Sequence, residues 1–172
     1  MNNKVYTITR GNNPTGKFLQ WYVVALLVFL LDAGSKAAVH NWMPYGQAIP
    51  FTDFFNLVHA RNPGAAFSFL ADAGGWQRYF FIVLACVISI WLALELRKAL
   101  PELQAVAYSL ILGGALGNAF DRGLRGYVVD YLDFHVGGWH WPAFNIADIG
   151  IVCGAALMVL ATLRETPKLE KT

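Results

Sequence analysis

Hydrophobic residues along the chain fall into four long runs that contain no charged side chain. The runs are Phe18–Leu31, Tyr79–Leu94, Leu103–Phe120 and Ile149–Leu163. A helix needs about 20 apolar residues to cross roughly 30 Å of hydrocarbon, and each run reaches that length when a few flanking residues are added. The pattern therefore predicts four membrane-spanning helices, with the bordering charges near the membrane interfaces.

The first run has one alternative interpretation, a cleavable signal peptide, because Lys4, Arg10 and Lys17 precede a short apolar core. No clear Ala-x-Ala cleavage site follows the core directly, and a polar pattern begins at Asp32. The run is therefore interpreted as a permanent span.

The segment between the first two runs has a different character. Pro44, Pro50, Pro63 and Gly64 interrupt it, and Phe51–Phe69 is rich in Phe with some Val and Thr. This composition predicts a few short strands on the membrane surface. The predicted fold is an all-α membrane bundle of four transmembrane helices with a small extracytoplasmic β-rich platform.

The predicted organisation is one membrane domain between two tails. Residues 1–17 are expected to be a flexible cytoplasmic tail, residues 18–163 the four-helix domain, and residues 164–172 a second cytoplasmic tail. Within the domain, residues 41–78 form an outer segment and residues 121–144 an outer loop.

Composition supports a membrane protein and excludes other classes. Hydrophobic residues make up 56% of the 172 residues and charged residues only 14%, against roughly 25% charged in soluble proteins. Such a chain is not intrinsically disordered. The net charge of +2, without a Lys/Arg-rich run, argues against a nucleic-acid partner. Cys86 and Cys153 lie in apolar runs and suggest neither a disulfide framework nor a zinc site.

Basic residues predict the orientation, because cytoplasmic loops are enriched in Lys and Arg. With four spans, the termini and the connection at residues 95–102 share one side, which holds most of the 13 basic residues. Those on that side are Lys4, Arg10, Lys17, Arg97, Lys98, Arg164, Lys168 and Lys171. The termini are therefore predicted to be cytoplasmic. All the aspartates fall on the outer side and all the glutamates on the inner side, so acidic chemistry is expected outside.

Three of the four predicted helices carry a polar cluster at the same depth, near their outer ends. Spacings of three or four residues place the members of each cluster on one helix face. The clusters are Asp32 with Lys36, Asn118 with Asp121 and Arg122, and Asn145 with Asp148. Ionisable residues in such places are candidates for a functional site.

Structural interpretations compete with functional ones at several of these positions. A structural ion pair is the favoured interpretation of Asp32 with Lys36, and helix capping is as good an interpretation of Asp148 as catalysis. Gly113 and Gly117 form a GxxxG pattern, which indicates close helix packing. Asp53, Asp72 and Asp133 are interpreted as solvated loop residues. The four histidines (His40, His59, His135 and His140) show no metal-ligand spacing.

The remaining chemistry is that of carboxylates. The chain contains no G-x-S-x-G, H-E-x-x-H or P-loop motif. Two aspartates that share one proton can activate water while the protonated partner donates to a carbonyl oxygen. Spacing alone does not identify which aspartates form such a pair. A proton-coupled transporter is a rival, weakened because the polar groups lie at one end of the helices, and a purely structural partner protein leaves the clusters unexplained.

Four motifs, in order, resemble the lipoprotein signal peptidase family, also called signal peptidase II. They are DAGSK at 32–36, RNPGAAF at 61–67, GNAFDR at 117–122, and VVDY at 128–131 followed by FNIAD at 144–148. The resemblance extends from Phe18 to Leu163. Each motif alone is weak, but together, in this order and in a chain with four spans, they are specific.

The resemblance implies an aspartic endopeptidase of the bacterial inner membrane, with its active site near the outer leaflet. It implies that Asp130 and Asp148 are the catalytic dyad. The substrate would be a prolipoprotein whose cysteine already carries diacylglycerol, cut on the amino side of that cysteine. No metal or organic cofactor is expected, and the expected partners are these precursors and membrane lipid.

The other motif residues are expected to bind substrate or support the site. Asn62 and Arg122 are the best candidates for substrate contact by resemblance, with Asn118 and Asn145 as further donors near the dyad. Asp121 belongs to the same set. Gly64, Ala65 and Ala66 leave room for a peptide or acyl chain, and Asp32 with Lys36 is expected to brace the site.

Overall fold

The structure, a computed structural model, describes residues 17–64 and 74–165. Its helices are α1 (Lys17–Trp42), α2 (Gln77–Glu95), α3 (Glu102–Arg125) and α4 (Ile146–Glu165). Its strands are β1 (Ala48–Thr52), β2 (Phe55–Asn62), β3 (Val128–Val136) and β4 (Trp139–His140). Residues 1–16 and 166–172 of the predicted tails, part of the Phe-rich segment, Ala65 to Phe67 and Asp72 lie outside the described residues.

All four helices are long and apolar enough to cross a membrane. Large apolar side chains such as Leu31, Val83 and Val152 are exposed on their outer faces. A lipid environment explains this pattern, because apolar surface facing hydrocarbon has no unfavourable contact with water. The four predicted spans are confirmed.

The first helix is longer than its apolar run. α1 continues to Trp42 and meets no proline before Pro44, so Asp32 and Lys36 lie within the helix. The charge that borders this run is therefore followed by several further residues of α1. Both side chains are fully buried inside the bundle, where they avoid lipid by facing the protein interior.

Helix α3 occupies the centre of the bundle. In the most apolar stretch of α3, 56% is buried inside the protein, against 17–22% in the other three helices. α3 packs against all three of them. Its glycines permit this. A Cβ on Gly113 would lie 2.7 Å from Val28 Cβ, and a Cβ on Gly117 would overlap the Asp32 carboxylate. The close packing predicted from GxxxG is confirmed, with α1 as the partner helix.

Four strands form one antiparallel sheet in the order β1-β2-β3-β4 at one end of the bundle. β1 and β2 are a hairpin in the segment where short strands were predicted. The β2–β3 register places Ala60 opposite Asp130 and Asn62 opposite Val128, after an irregularity between Leu57 and Ala60. Such bulges change the direction of a strand and are frequent beside active sites.

The segment 121–144, predicted as an outer loop, contains the other half of the sheet. Gly126 ends α3 with φ 89°, a left-handed conformation that glycine adopts without strain, and β3 follows immediately. The strand is buried on both faces along its first half, with no alternation of polar and apolar residues. Because alternation is the sequence signal of a half-buried strand, no pattern in the sequence indicates β3.

Asp133 is not a solvated loop residue, and that interpretation was wrong. It lies in β3, nearly buried, and accepts hydrogen bonds from Asn56 Nδ2 at 2.8 Å and from the His140 ring at 2.9 Å. Burial raises the pKa of its carboxyl, but these two hydrogen bonds, together with the charges of His140 and His135, outweigh that effect and hold the pKa below its usual value. Asp53, by contrast, is exposed as expected.

Candidate active site

The structure brings the predicted site residues together where the helices meet the sheet. They come from several elements that are far apart in the sequence, so the site exists only in the folded chain. The contributors are Asp32 and Lys36 of α1, Asn62 of β2 with the adjacent Gly64, Asn118, Asp121 and Arg122 of α3, Asp130 of β3, and Asn145 and Asp148 at the start of α4.

The beginning of α4 is a reciprocal cap. The Asp148 backbone N–H donates to Asn145 Oδ1 at 3.0 Å, and the Asn145 N–H donates to Asp148 Oδ2 at 3.2 Å. This arrangement satisfies two N–H groups that a helix terminus leaves unpaired. Asp148 therefore does cap its helix, and its other oxygen, Oδ1, faces Asn118 Nδ2 at 2.9 Å.

Asp130 is only 3% exposed and is held by two amide groups. Asn145 Nδ2 donates to Oδ1 at 2.6 Å, and Asn62 Nδ2 donates to Oδ2 at 3.0 Å. Asn145 thus contacts both Asp130 and Asp148. This single side chain joins the strand carboxylate to the helix carboxylate.

Burial is the largest influence on Asp130. Together with the neighbouring Asp148 carboxylate, it raises the pKa of Asp130 to about 7. The hydrogen bonds from Asn62 and Asn145 and the charge of Lys36 act in the opposite direction and do not cancel the effect. A carboxyl with such a pKa can hold or release a proton near neutral pH.

Three asparagines present their amide groups to the carboxylates because another donor occupies each amide oxygen. Lys36 Nζ donates to Asn118 Oδ1 at 2.7 Å, the Asp148 N–H to Asn145 Oδ1, and the Gly64 N–H to Asn62 Oδ1 at 3.0 Å. An amide whose oxygen accepts a fixed donor must turn its NH₂ group to the other side. The orientation of these donors is therefore built into the fold.

The Asp32–Lys36 pair stabilises the centre of this network. Lys36 Nζ lies 2.7 Å from Asp32 Oδ2, and both side chains are fully buried. Asp32 Oδ1 accepts the Ala147 N–H at 2.8 Å, which pairs one more N–H at the start of α4. The pair connects α1 to α4 directly and to α3 through Asn118. It is structural in its contacts, because neither side chain bonds to Asp130 or Asp148.

Arg122 is nearly buried between α2, α3 and the end of β2. Its Nη2 donates to the Gly64 carbonyl at 2.5 Å, its Nη1 donates to the Asn118 carbonyl at 3.3 Å, and its guanidinium lies 5.0 Å from the centre of the Phe81 ring. Its Nε is buried without a partner among the described residues. Its charge interacts with both Asp130 and Asp148.

Asp121 does not reach either carboxylate, but it positions one. Its Oδ2 accepts the Val129 N–H at 2.8 Å, the residue before Asp130, and its Oδ1 pairs with Arg125. The contact with Val129 fixes the beginning of strand β3 against the end of α3. Asp121 therefore acts as a positioning residue.

Two contacts of the site were not predicted. Tyr131, next to Asp130, shares a hydrogen bond of 2.7 Å with Ser35 of the DAGSK motif, and Arg125 pairs with Asp121. The Arg125 contact has an i, i+4 spacing that the sequence offered, whereas the Ser35–Tyr131 contact joins residues far apart in the chain. Among residues 17–64 and 74–165, no group of three or more His, Cys, Asp or Glu side chains is arranged to hold a metal ion.

Comparisons with known proteins agree on one family. A family model described as signal peptidase (SPase) II matches residues 24–164. A lipoprotein signal peptidase of Aeromonas hydrophila is 53% identical over 90% of this chain and 94% of its own length. One of Serratia marcescens is 52% identical over 86% of this chain and 89% of its own. A solved structure described as a bacterial membrane enzyme superposes with a TM-score of 0.78 at 34% identity, covering 89% of this chain and 93% of that one.

The contacts of Asp32 predict that Asp32→Asn destabilises the protein, because the Lys36 ammonium loses its charged partner in a buried place. Removing one partner of a buried ion pair, which leaves the other charge unpaired, costs about 3–5 kcal/mol of folding stability. Thermal unfolding in detergent micelles should show a lower midpoint, and the turnover of the surviving folded protein should fall less than its yield. The double variant Asp32→Asn/Lys36→Met should be more stable than Asp32→Asn alone, since it removes the unpaired charge. A normal unfolding midpoint with abolished turnover would instead place Asp32 in the chemistry.

Proposed function

Because the chain belongs to the signal peptidase II family and is thus a membrane-embedded peptidase, we propose that Asp130 and Asp148 form the catalytic dyad of an aspartic endopeptidase. The observation that carries the proposal is the position of Asn145, which contacts Asp130 through Nδ2 and Asp148 through its cap. Asp130 is buried beside the Asp148 carboxylate, and two such carboxyl groups can act as the acid and the base that activate water.

The charges around the dyad favour a single shared proton. Lys36 and Arg122 contribute two positive charges, and Asp32 contributes one negative charge. With one proton between them, Asp130 and Asp148 contribute one negative charge more, so the cluster is neutral. A second proton or a second negative charge would leave an unbalanced charge in a place with little water, which is costly.

The proposed mechanism follows from this state. The ionised carboxylate takes a proton from a water molecule as the water oxygen attacks the scissile carbonyl carbon. The protonated carboxyl donates its proton to the carbonyl oxygen, which gives a neutral tetrahedral intermediate. As that intermediate collapses, one of its hydroxyl groups returns a proton to the second carboxylate, the C–N bond breaks, and the first carboxyl gives its proton to the leaving nitrogen.

Substrate binding falls to the donors around the dyad. Arg122 Nε has no partner within the described residues, so it is available to a substrate carbonyl. Asn62 and Gly64 lie beside Asp130 and Arg122 respectively, at the end of β2. We assign substrate contact to Asn62 and Arg122, orientation of the dyad to Asn118 and Asn145, and positioning of the scaffold to Asp32, Lys36 and Asp121.

The proposed substrate is a prolipoprotein whose cysteine carries diacylglycerol, cut on the amino side of that cysteine. The relatives are named for lipoprotein processing, and a site at one end of membrane helices suits a substrate that arrives within the bilayer. The proposed location is the bacterial inner membrane, with the site near the outer leaflet.

The distribution of buried charge favours a peptidase over a transporter. Among the described residues, the buried charged side chains are Asp32, Lys36, Asp121, Arg122, Asp130 and Asp133. All belong to the active-site end or to the sheet, and none continues along the helices toward the other end. A proton path across the bilayer would need such a series.

The first prediction of the proposed function concerns the dyad. Asp130→Asn and Asp148→Asn should each fold and each lose cleavage by about 100- to 10,000-fold, since the acid–base pair is lost while side-chain size is kept. The double variant should lose little more, because residues that act as a unit are not additive. The measurement is cleavage of a diacylglyceryl-modified precursor by purified protein in micelles.

Asp53→Asn is the matched control, since this aspartate is exposed in the turn between β1 and β2, and it should keep wild-type activity. Asp133→Asn is a poorer control, because it removes the contacts to Asn56 and His140. Substantial cleavage by either single dyad variant would refute the assignment.

The second prediction concerns pH, since the pKa of Asp130 is raised to about 7. The cleavage rate should fall as pH rises above about 7, because the dyad loses its shared proton, and fall again in acid when both carboxyls are protonated.

The raised pKa of Asp130 also makes the stability of the folded protein depend on pH. A carboxyl whose pKa is raised by folding contributes its full stability below its pKa in the unfolded chain, about 3.9, and that contribution is lost as pH rises to about 7. The unfolding midpoint of wild type should therefore drop over this interval more than that of Asp130→Asn. A rate that keeps rising through pH 9 would contradict the shared-proton state.

The third prediction concerns orientation. Excess Lys and Arg on the side of the termini indicates that both termini and the Arg97–Lys98 turn are cytoplasmic. Single cysteines placed at Lys98 and Asp53, in a background without Cys86 and Cys153, should react with a membrane-impermeant thiol reagent from opposite sides of the membrane. Labelling of both from the same side would exclude the four-span arrangement.

A further inference from the structure

A second cluster of basic and aromatic side chains lies on the sheet, separate from the dyad. It consists of Arg61, Tyr45, Tyr127 and His59, and we call it the Arg61 cluster. The guanidinium of Arg61 lies 4.5 Å from the centre of the Tyr45 ring and 4.8 Å from that of the Tyr127 ring. The two rings hold the positive charge in place through cation–π contacts.

Within the part of the chain that the structure describes, the charge of Arg61 has no acidic partner. Among the described residues, every ion pair involves other side chains, and cation–π contact leaves the N–H groups of the guanidinium able to donate. Arg61 is exposed. It therefore presents a fixed positive charge to whatever lies at the surface.

The cluster borders a cavity of about 400 Å³ formed by residues 45–48 and 58–61. His59 lines the cavity and is 2% exposed. Its Nδ1 lies 2.8 Å from the Met43 carbonyl, which only accepts, so Nδ1 carries a proton. Its Nε2 is buried without a partner among the described residues. The hydrogen bond of Nδ1 thus fixes the His59 side chain in the wall of the cavity.

The position of the cavity indicates a lipid. Trp42, the last residue of α1, is 83% exposed, and Tyr45, which lines the cavity, is 63% exposed. Exposed Trp and Tyr near the ends of spanning helices lie at the headgroup level of a membrane. At that depth the abundant anionic group is the phosphate of a phospholipid. Basic pockets beside membrane helices bind such headgroups.

We propose that the Arg61 cluster is a binding site for the phosphate of an anionic phospholipid headgroup, taken from the leaflet at the active-site end. Arg61 donates to the phosphate oxygens, and Tyr45, which also lines the cavity, offers a hydroxyl group as a further donor. Arg61 pairs with Val129 in the β2–β3 register, next to Ala60 and Asp130. A bound headgroup would therefore anchor strand β2, which ends at Asn62, to the membrane.

The test is native mass spectrometry of the full-length protein released from detergent micelles, titrated with phosphatidylglycerol, with diacylglycerol and with inorganic phosphate. Wild type should retain phosphatidylglycerol at much lower concentration than diacylglycerol, which lacks the phosphate. Arg61→Gln should weaken phosphatidylglycerol binding by about tenfold or more, the effect of losing hydrogen bonds to a charged group. Arg61→Lys should retain most of the binding.

The matched control is Arg97→Gln, an exposed arginine at the opposite end of the bundle, which should bind as wild type does. If Arg61→Gln does not fold, Tyr45→Leu replaces it, because Tyr45 is mostly exposed and its loss opens no core cavity; it should weaken binding by releasing Arg61. Equal retention of phosphatidylglycerol and diacylglycerol, or wild-type binding by Arg61→Gln, would overturn the proposal. Displacement of the lipid by an equimolar amount of inorganic phosphate would overturn the assignment to lipid and leave a site for dissolved phosphate.

Discussion

The burial of the Lys36 ammonium is the constraint on which the rest of this structure depends. A fully buried ammonium must find acceptors within the protein, because leaving it unpaired away from water is very costly. It finds Asp32 Oδ2 and Asn118 Oδ1, each at 2.7 Å. The first contact fixes a carboxylate that also caps α4 at Ala147, and the second fixes an amide that faces Asp148. One buried charge thereby sets the relation of α1, α3 and α4.

The proposed dyad is assembled from two unlike elements, and this gives its members different surroundings. Asp130 lies on a strand, nearly buried, between the amides of Asn62 and Asn145. Asp148 lies in the first turn of α4, partly exposed, and accepts hydrogen bonds from the Asn145 N–H and from Asn118 Nδ2. Different environments for two neighbouring carboxyls are what separate acid and base roles.

The local part of the site could be predicted from sequence, and the non-local part could not. Spacings of three and four residues correctly placed Asp32 with Lys36 and Asn145 with Asp148, because helix geometry alone decides such neighbours. The contact of Ser35 with Tyr131 joins residues from two separate elements, and no local pattern encodes it.

The interpretation of Asp133 was wrong for a related reason. β3 is buried on both faces, so it lacks the alternation that marks a strand, and a residue in an unrecognised strand was assigned to solvent. The pairing of Asp130 with Asp148 came from the family resemblance, since seven aspartates allow many pairs.

The asparagines explain how a site with so many polar groups keeps one arrangement. An amide side chain can turn by half a rotation and exchange its donor for its acceptor with almost no change of shape. Lys36, the Asp148 N–H and the Gly64 N–H each remove that freedom by occupying the oxygen of one asparagine. Two of these three donors belong to backbone whose position the fold determines, and the third belongs to the buried ion pair. The preorganisation of the proposed dyad is therefore a property of the scaffold, to which Lys36 contributes without a hydrogen bond to either carboxylate of the pair.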